Sequence, residues 1–340
     1  MMFHHGVIGI HLKPKTQNKH THMKTFSEYN RHINESAASE HTLFPQDKEE
    51  LAKMIQDEIE KQGINADLNH IDVSNITDMS ALFCESLFNG DISRWDVSNV
   101  TDMSYMFNIS RFNGDISNWD VSNVINMNGM FYKASEFDQD ISYWDVSNVQ
   151  SMSYMFAGSK FNRDLSGWDV SNVLDMSFMF FKSDFNSDIS TWDVRRVINM
   201  SNMFACSPFN GNLKRWNTKN VEDMSGMFNG SSFNQDISRW DVSNVTSMES
   251  MFKNGIFNQN ISKWNVSGVK YMYYMFYNNQ EFNQDISEWD VSNVKDMDGM
   301  FNGAKSFNQD ISGWDVSKVT DNEFMFDECP CPKEYQPKFK

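Results

Sequence analysis

The chain has 340 residues, of which 40% are hydrophobic, and 46 acidic residues against 29 Lys and Arg give a formal net charge of −17. That charge argues against generic attraction to nucleic acid or to an anionic membrane. No run approaches the roughly 20 apolar residues that cross a bilayer.

Residues 1–44 carry seven of the eight histidines and no periodic pattern, and they read as a disordered leader and linker. The opening "MMFHHGVIGIHLKPK" has no basic stretch before its short apolar run, so it does not read as a secretory signal; Met23 would also serve as a start. Residues 45–63, "PQDKEELAKMIQDEIEKQG", place Leu51, Met54, Ile55 and Ile59 on one helical face with Gly63 as the stop. A helix there is expected to cap the open apolar end of the next segment.

That next segment is a repeat. "FNGDISRWDVSNVTDMSYMF" occupies 88–107, and close copies run through 64–328. Successive tryptophans from Trp95 to Trp314 stand 24 or 25 residues apart, and Ile71 fills the slot of a degenerate first copy. The methionine of "MF" lies eleven residues beyond each tryptophan, as in Trp95 to Met106 and Trp216 to Met227. A period of this size predicts a solenoid whose units bury their apolar faces only against neighbours. Within a unit, Trp95-Asp96-Val97-Ser98 alternates apolar and polar, the signal of a half-buried strand. Met103, Met106 and Phe107 stand at i, i+3 and i+4, one face of a helical turn that Thr101 or Asp102 is placed to cap. Ile92-x-x-Trp95-x-Val97 matches the core pattern of a leucine-rich repeat with Trp standing in for Leu. The expected fold is therefore an α/β repeat. It is a right-handed leucine-rich-repeat-like solenoid of about eleven units, each a short parallel strand plus a short helical turn. Asn322 replaces the methionine of earlier units, as a terminal cap would, and 329–340 read as a tail.

The units, with "FNQDISxWDVSNV" followed by "M..MF" over 64–328, resemble BspA-like leucine-rich repeats, the bacterial surface protein repeat family. The resemblance implies a binding scaffold without enzymatic activity, since members are mostly surface or host-interaction proteins. The absence of a signal pattern, and of a cysteine near the start to accept a lipid, departs from the secreted members. "MKTFSEYNRHINES" from Met23 also resembles capsid-targeting peptides of internal head proteins in large tailed phages, which are cut after a glutamate; Glu35 is the matching position. The expected location is the bacterial cytoplasm or a virion; the alternative is a secreted or surface-attached adhesin or structural protein of the same repeat family, at the cell surface.

Candidate chemistry is sparse. Residues 71–340 contain no histidine, so the repeats cannot build a Ser-His or Cys-His dyad, and no enzyme and no cofactor are expected. Cys84 and Cys206 lie five units apart, and Cys329 and Cys331 are too close for an easy mutual bridge, which points to a reducing compartment. Two aspartates recur per unit, as Asp91 with Asp96, and a carboxylate column can hold Ca²⁺. Both become asparagine together at Asn212 with Asn217 and at Asn260 with Asn265. A side-chain oxygen survives that swap and a charge does not, so Asx capping of turns is the preferred reading, and no metal is expected.

One departure from periodicity points to a partner. With Trp and Val inward, the residues one before, one after and three after each Trp point outward. Those trios are neutral or acidic in most units, as in Asn118, Asp120 and Ser122. Four consecutive units differ, presenting Arg195, Arg215, Lys219, Arg239 and Lys263 against Asp193 and Asp241. This basic island on an acidic chain is the candidate binding site, for an acidic protein surface or a phosphate-bearing ligand.

Overall fold

The computed structural model describes residues 41–339; most of the expected leader, with Met23 and Glu35, lies outside them. Among the described residues there is one α-helix, α1, over Lys48–Gln62, and a 3-10 turn at Lys333–Tyr335. Asp47 caps α1 by accepting the Glu50 N–H, and the chain leaves through Gly63 at φ 88°. Leu51 and Ile55 are buried, with Met54 and Ile59 packed beside them. Just before α1, Leu43 bridges Ile71 in parallel, so ordered pairing begins inside the segment read as leader. Leu43 itself packs against the core, which gives that pairing an apolar anchor.

The repeating unit differs from the expected strand and helical turn. The Trp95–Ser98 stretch carries no ladder; Val100 donates its N–H to the Val97 carbonyl at 2.9 Å and closes a turn with Ser98 and Asn99 at its corners. The cause is the aspartate. Asp96 Oδ1 accepts the Ser98 N–H at 3.1 Å, which bends the backbone where a strand would continue. A second such turn precedes it: Asp91 accepts the Ser93 N–H at 2.9 Å, and Trp95 N–H closes on the Ile92 carbonyl.

The segment after Thr101 is not helical either. Parallel bridges start there and run from Asp78 to Asp102 to Asn126 and on to Asp321. Beyond each bridge, alternate residues divide their bonds. Met79, Ala81, Phe83 and Glu85 donate to Asp102, Ser104, Met106 and Asn108 of the next unit at 2.7–2.9 Å. Leu82, Cys84 and Ser86 instead close turns on Met79, Ala81 and Phe83 within their own unit. This winding puts two left-handed residues in each unit, four apart, as at Tyr105 (φ 56°) and Ile109 (φ 53°). It still turns Met103, Met106 and Phe107 inward, all at 0% exposure. The i, i+3, i+4 spacing thus identified the buried face, while a run of stacked turns carries it.

Side chains tie unit to unit. All ten tryptophans donate their indole N–H back to an Ile or Leu carbonyl of the preceding unit at 2.9–3.2 Å. Neighbouring rings stack at Trp95 with Trp119, Trp192 with Trp216, Trp216 with Trp240 and Trp289 with Trp314, 6.4–6.5 Å apart, and the Phe83, Phe107, Phe131 column stacks at 5.5 and 5.7 Å. Asn99, Asn123 and Asn148 donate Nδ2 to the carbonyls of Ser74, Ser98 and Ser122 at 2.7–2.8 Å. At the far end Ile311 N–H meets the Tyr335 carbonyl at 2.9 Å, so the tail covers the last unit, and Cys331 of the tail is buried in the core. Asn322 is half-buried, where the methionines it replaces are fully buried.

These contacts set the cost of losing a ring or a glycine. Trp192→Phe keeps most of the ring but removes the indole bond to the Leu165 carbonyl, which keeps the Trp168 N–H, at a cost of about 0.5–1.5 kcal/mol. Trp192→Ala is expected to cost about 3–5 kcal/mol. Urea unfolding that finds Phe equal to wild type removes the indole bond as a cause. Gly129 sits at φ 57° with Tyr105 Cε1 2.4 Å from where its Cβ would be. Gly129→Ala should therefore destabilise, and less so in a Tyr105→Ala background, where only the backbone strain of about 1–2 kcal/mol remains.

Candidate partner-binding face

The two turns of each unit set the exposed corners. Arg215, Arg239 and Lys263 occupy the last corner of the first turn, immediately before the buried Trp216, Trp240 and Trp264. Arg195 and Lys219 occupy the first corner of the second turn, closed by Val197 on Val194 and by Val221 on Thr218. The outward positions of the sequence are therefore turn corners and not one face of a strand. The same inward–outward alternation survives because Trp and the residue two beyond it still bury: Trp216 and Thr218 are 3% and 0% exposed.

The five cations are not equivalent. Arg195 is engaged within its own unit, its Nη2 2.6 Å from Asp193 Oδ2 and its Nε 2.8 Å from Oδ1. That contact holds the Asp193 carboxyl below the usual range. Arg215 and Arg239 are exposed, and neither makes an ion pair among the described residues. Both line one open groove of about 320 Å³, together with Lys214, Trp216, Asn217 and Asp241. Lys219 and Lys263 are exposed on neighbouring corners outside that lining.

Two cations of this region escaped the sequence reading. Lys214 replaces the serine of "DIS" and pairs with Asp236 at 2.6 Å, which pulls that carboxyl well down. Arg196 replaces the asparagine of "VSN" and donates to Asn172 Oδ1 at 2.5 Å, one rung back along the asparagine column. The signal was present as "RR" and "KR" beside the tryptophans, but the trio of outward positions did not include those sites.

The aspartate columns act on their own turns. Oδ1 accepts the N–H two residues on whether the residue is Asp188 (2.9 Å), Asn212 (3.0 Å) or Asn260 (2.9 Å). Aspartate and asparagine make the same bond, which accounts for the swap seen in the sequence.

Stacked turns, repeated from unit to unit with the same rungs, define a tandem-repeat protein. The family model described as "Mycoplasma protein of unknown function, DUF285" matches residues 49–166, 158–256 and 230–336. The chain belongs to that family. No curated protein and no solved structure matches it. No helix among the described residues is long and apolar enough to cross a membrane.

The carboxylates give stability a definite pH dependence. Bonds from the serine two residues on hold Asp140, Asp188, Asp241, Asp285 and Asp290 below their ordinary values. A folded pKa below the unfolded one stabilises above about pH 3.9 and loses that contribution as pH falls through the folded value. Acid unfolding should therefore set in below about pH 4. Asp296 has the opposite sign: burial, with Asp321 and Asp298 nearby, raises it. Its contribution is present at low pH and lost as pH rises, so Asp296→Asn should stabilise at pH 7 and not at about pH 3. Denaturant midpoints at the two pH values check this.

Proposed function

We propose that the chain is a non-enzymatic protein-binding scaffold of the BspA-like kind, a right-handed, leucine-rich-repeat-like solenoid. Its turn corners in the Trp192 to Trp264 units receive an acidic or phosphate-bearing partner. The observation that carries this is the pair of exposed arginines, Arg215 and Arg239, lining one groove on a chain of net charge −17. Relief of repulsion along the aspartate column does not account for them. Asn217 and Asn265 have already removed carboxylates from that column in the same region. An arginine fork matches carboxylate and phosphate in bidentate geometry, and it loses little hydration on docking. The proposed site of action is the bacterial cytoplasm or a virion, with the cell surface as the alternative.

The test is charge reversal. Wild type should be retained on an immobilised Glu-rich peptide at low salt and released as salt rises. Arg215→Glu with Arg239→Glu should lose most of that retention, while its thermal melt stays near wild type because both side chains are exposed. Equal retention of a folded double variant overturns the reading.

A further inference from the structure

The acidic surface that the island fits is present on the same face of the chain. We propose that the island docks on the acidic half of that face in a second copy, the two stacks lying antiparallel about a twofold axis at the Trp192 unit. This rests on the proposed function, in which the island receives an acidic protein surface, and it names the surface.

Charge is segregated along the stack, at the corners of the two turns and the residue between them. The Trp119, Trp144 and Trp168 units place Asp120, Asp145 and Asp169 after the tryptophan, with no cation one before or three after it. The Trp216, Trp240 and Trp264 units place Arg215 with Lys219, Arg239 and Lys263 at those corners, and Asp241 is their one carboxylate. Between the two blocks lies the Trp192 unit, where Arg195 already clasps Asp193. A twofold axis there sets this ion pair beside its own copy, and neither block is displaced.

The spacing makes the two halves complementary. Each block spans three units and begins one unit from Trp192. The axis therefore sets the Trp216 unit against the Trp168 unit, Trp240 against Trp144, and Trp264 against Trp119. A partner must offer carboxylates at the step of the stack, about 4.8 Å per unit. A second copy carries that same step, so each facing pair sets at least one cation of the island against a carboxylate of the acidic block, with Asp241 the one carboxylate on the island side. The contact is isologous and uses each block twice, which closes the assembly at two copies. Tyr143, 73% exposed, comes opposite the Arg239 corner and offers a ring to a guanidinium.

Sedimentation of the full chain tests this. Wild type is expected to be a dimer at low salt and a monomer at about 1 M salt, where the screening length is about 3 Å. Arg215→Glu with Arg239→Glu should be monomeric at low salt. Asp145→Asn with Asp169→Asn keeps both turn acceptors and should weaken the dimer as well. A charge-swapped variant with Asp145→Asn, Ser147→Lys, Asp169→Asn and Ser171→Lys, which reproduces the Asn217 and Lys219 arrangement and keeps both turn acceptors, should be monomeric alone and should form a heterodimer when mixed with the Arg215→Glu, Arg239→Glu variant. A wild type monomeric at every concentration overturns the proposal, as does a dimer that neither the arginine nor the aspartate variants weaken. A monomer that still binds the Glu-rich peptide through Arg215 and Arg239 overturns self-association alone. Loss of peptide binding as well overturns the acidic-partner reading with it.

Discussion

Each unit is too short to satisfy its own backbone, and the structure depends on how the next unit meets that need. In the turn run, every second N–H points along the stack and finds a carbonyl one unit on, as Phe83 finds Met106 and Phe107 finds Met130. The other N–H groups close turns locally, so the winding saturates its polar groups without a continuous strand or helix. The tryptophan rung runs the opposite way, from indole N–H back to the preceding unit. Backbone and side chain therefore clamp each interface in both directions. That is why a large aromatic with one donor recurs where leucine would supply apolar area alone.

Much of this was legible in the sequence. The 24–25-residue period, the inward columns and the α1 segment follow from spacing. The backbone did not: the apolar rhythm set a strand across Asp96 although its turn-capping role was legible, and it set a helical turn across the left-handed glycines. Asp96 before Ser98 is an Asx-turn signal that ends a strand, and it repeats in the unit of every tryptophan. Gly129, Gly226 and Gly299 share one column, where φ is 53–61°. They occur where Tyr105, Asn202 and Tyr274 of the preceding unit lie across them. Reading those glycines as left-handed positions would have argued against a helix over the "MF" segment.

The candidate face was legible to a different degree. The outward corners were found by alternation, but the sequence could not separate Arg195, which pairs with Asp193, from Arg215 and Arg239, which do not. Side-chain reach decides this. Arg195 stands on the turn that Asp193 closes and folds its guanidinium back on that carboxylate, whereas Arg215 and Arg239 stand before the tryptophan, at the end of the first turn.

The turns also explain why function can be written at these corners. The bond that shapes the second turn is donated by a backbone N–H, so any side chain can stand there. Arg195, Lys219 and Ser243 donate to Asp193, Asn217 and Asp241 at 3.1–3.2 Å alike. Tryptophan, methionine and phenylalanine columns have no such freedom, because each fills a fixed volume against its neighbours. The Asx oxygen is likewise fixed while its charge is free, since asparagine and aspartate accept the same N–H. Charge at the corners can therefore change sign, and charge on the Asx column can be lost, from unit to unit without altering the stack. A chain built this way carries a rigid repeat inside and an independent charge pattern outside. The reversal of that pattern across the Trp192 unit is a property of the surface alone.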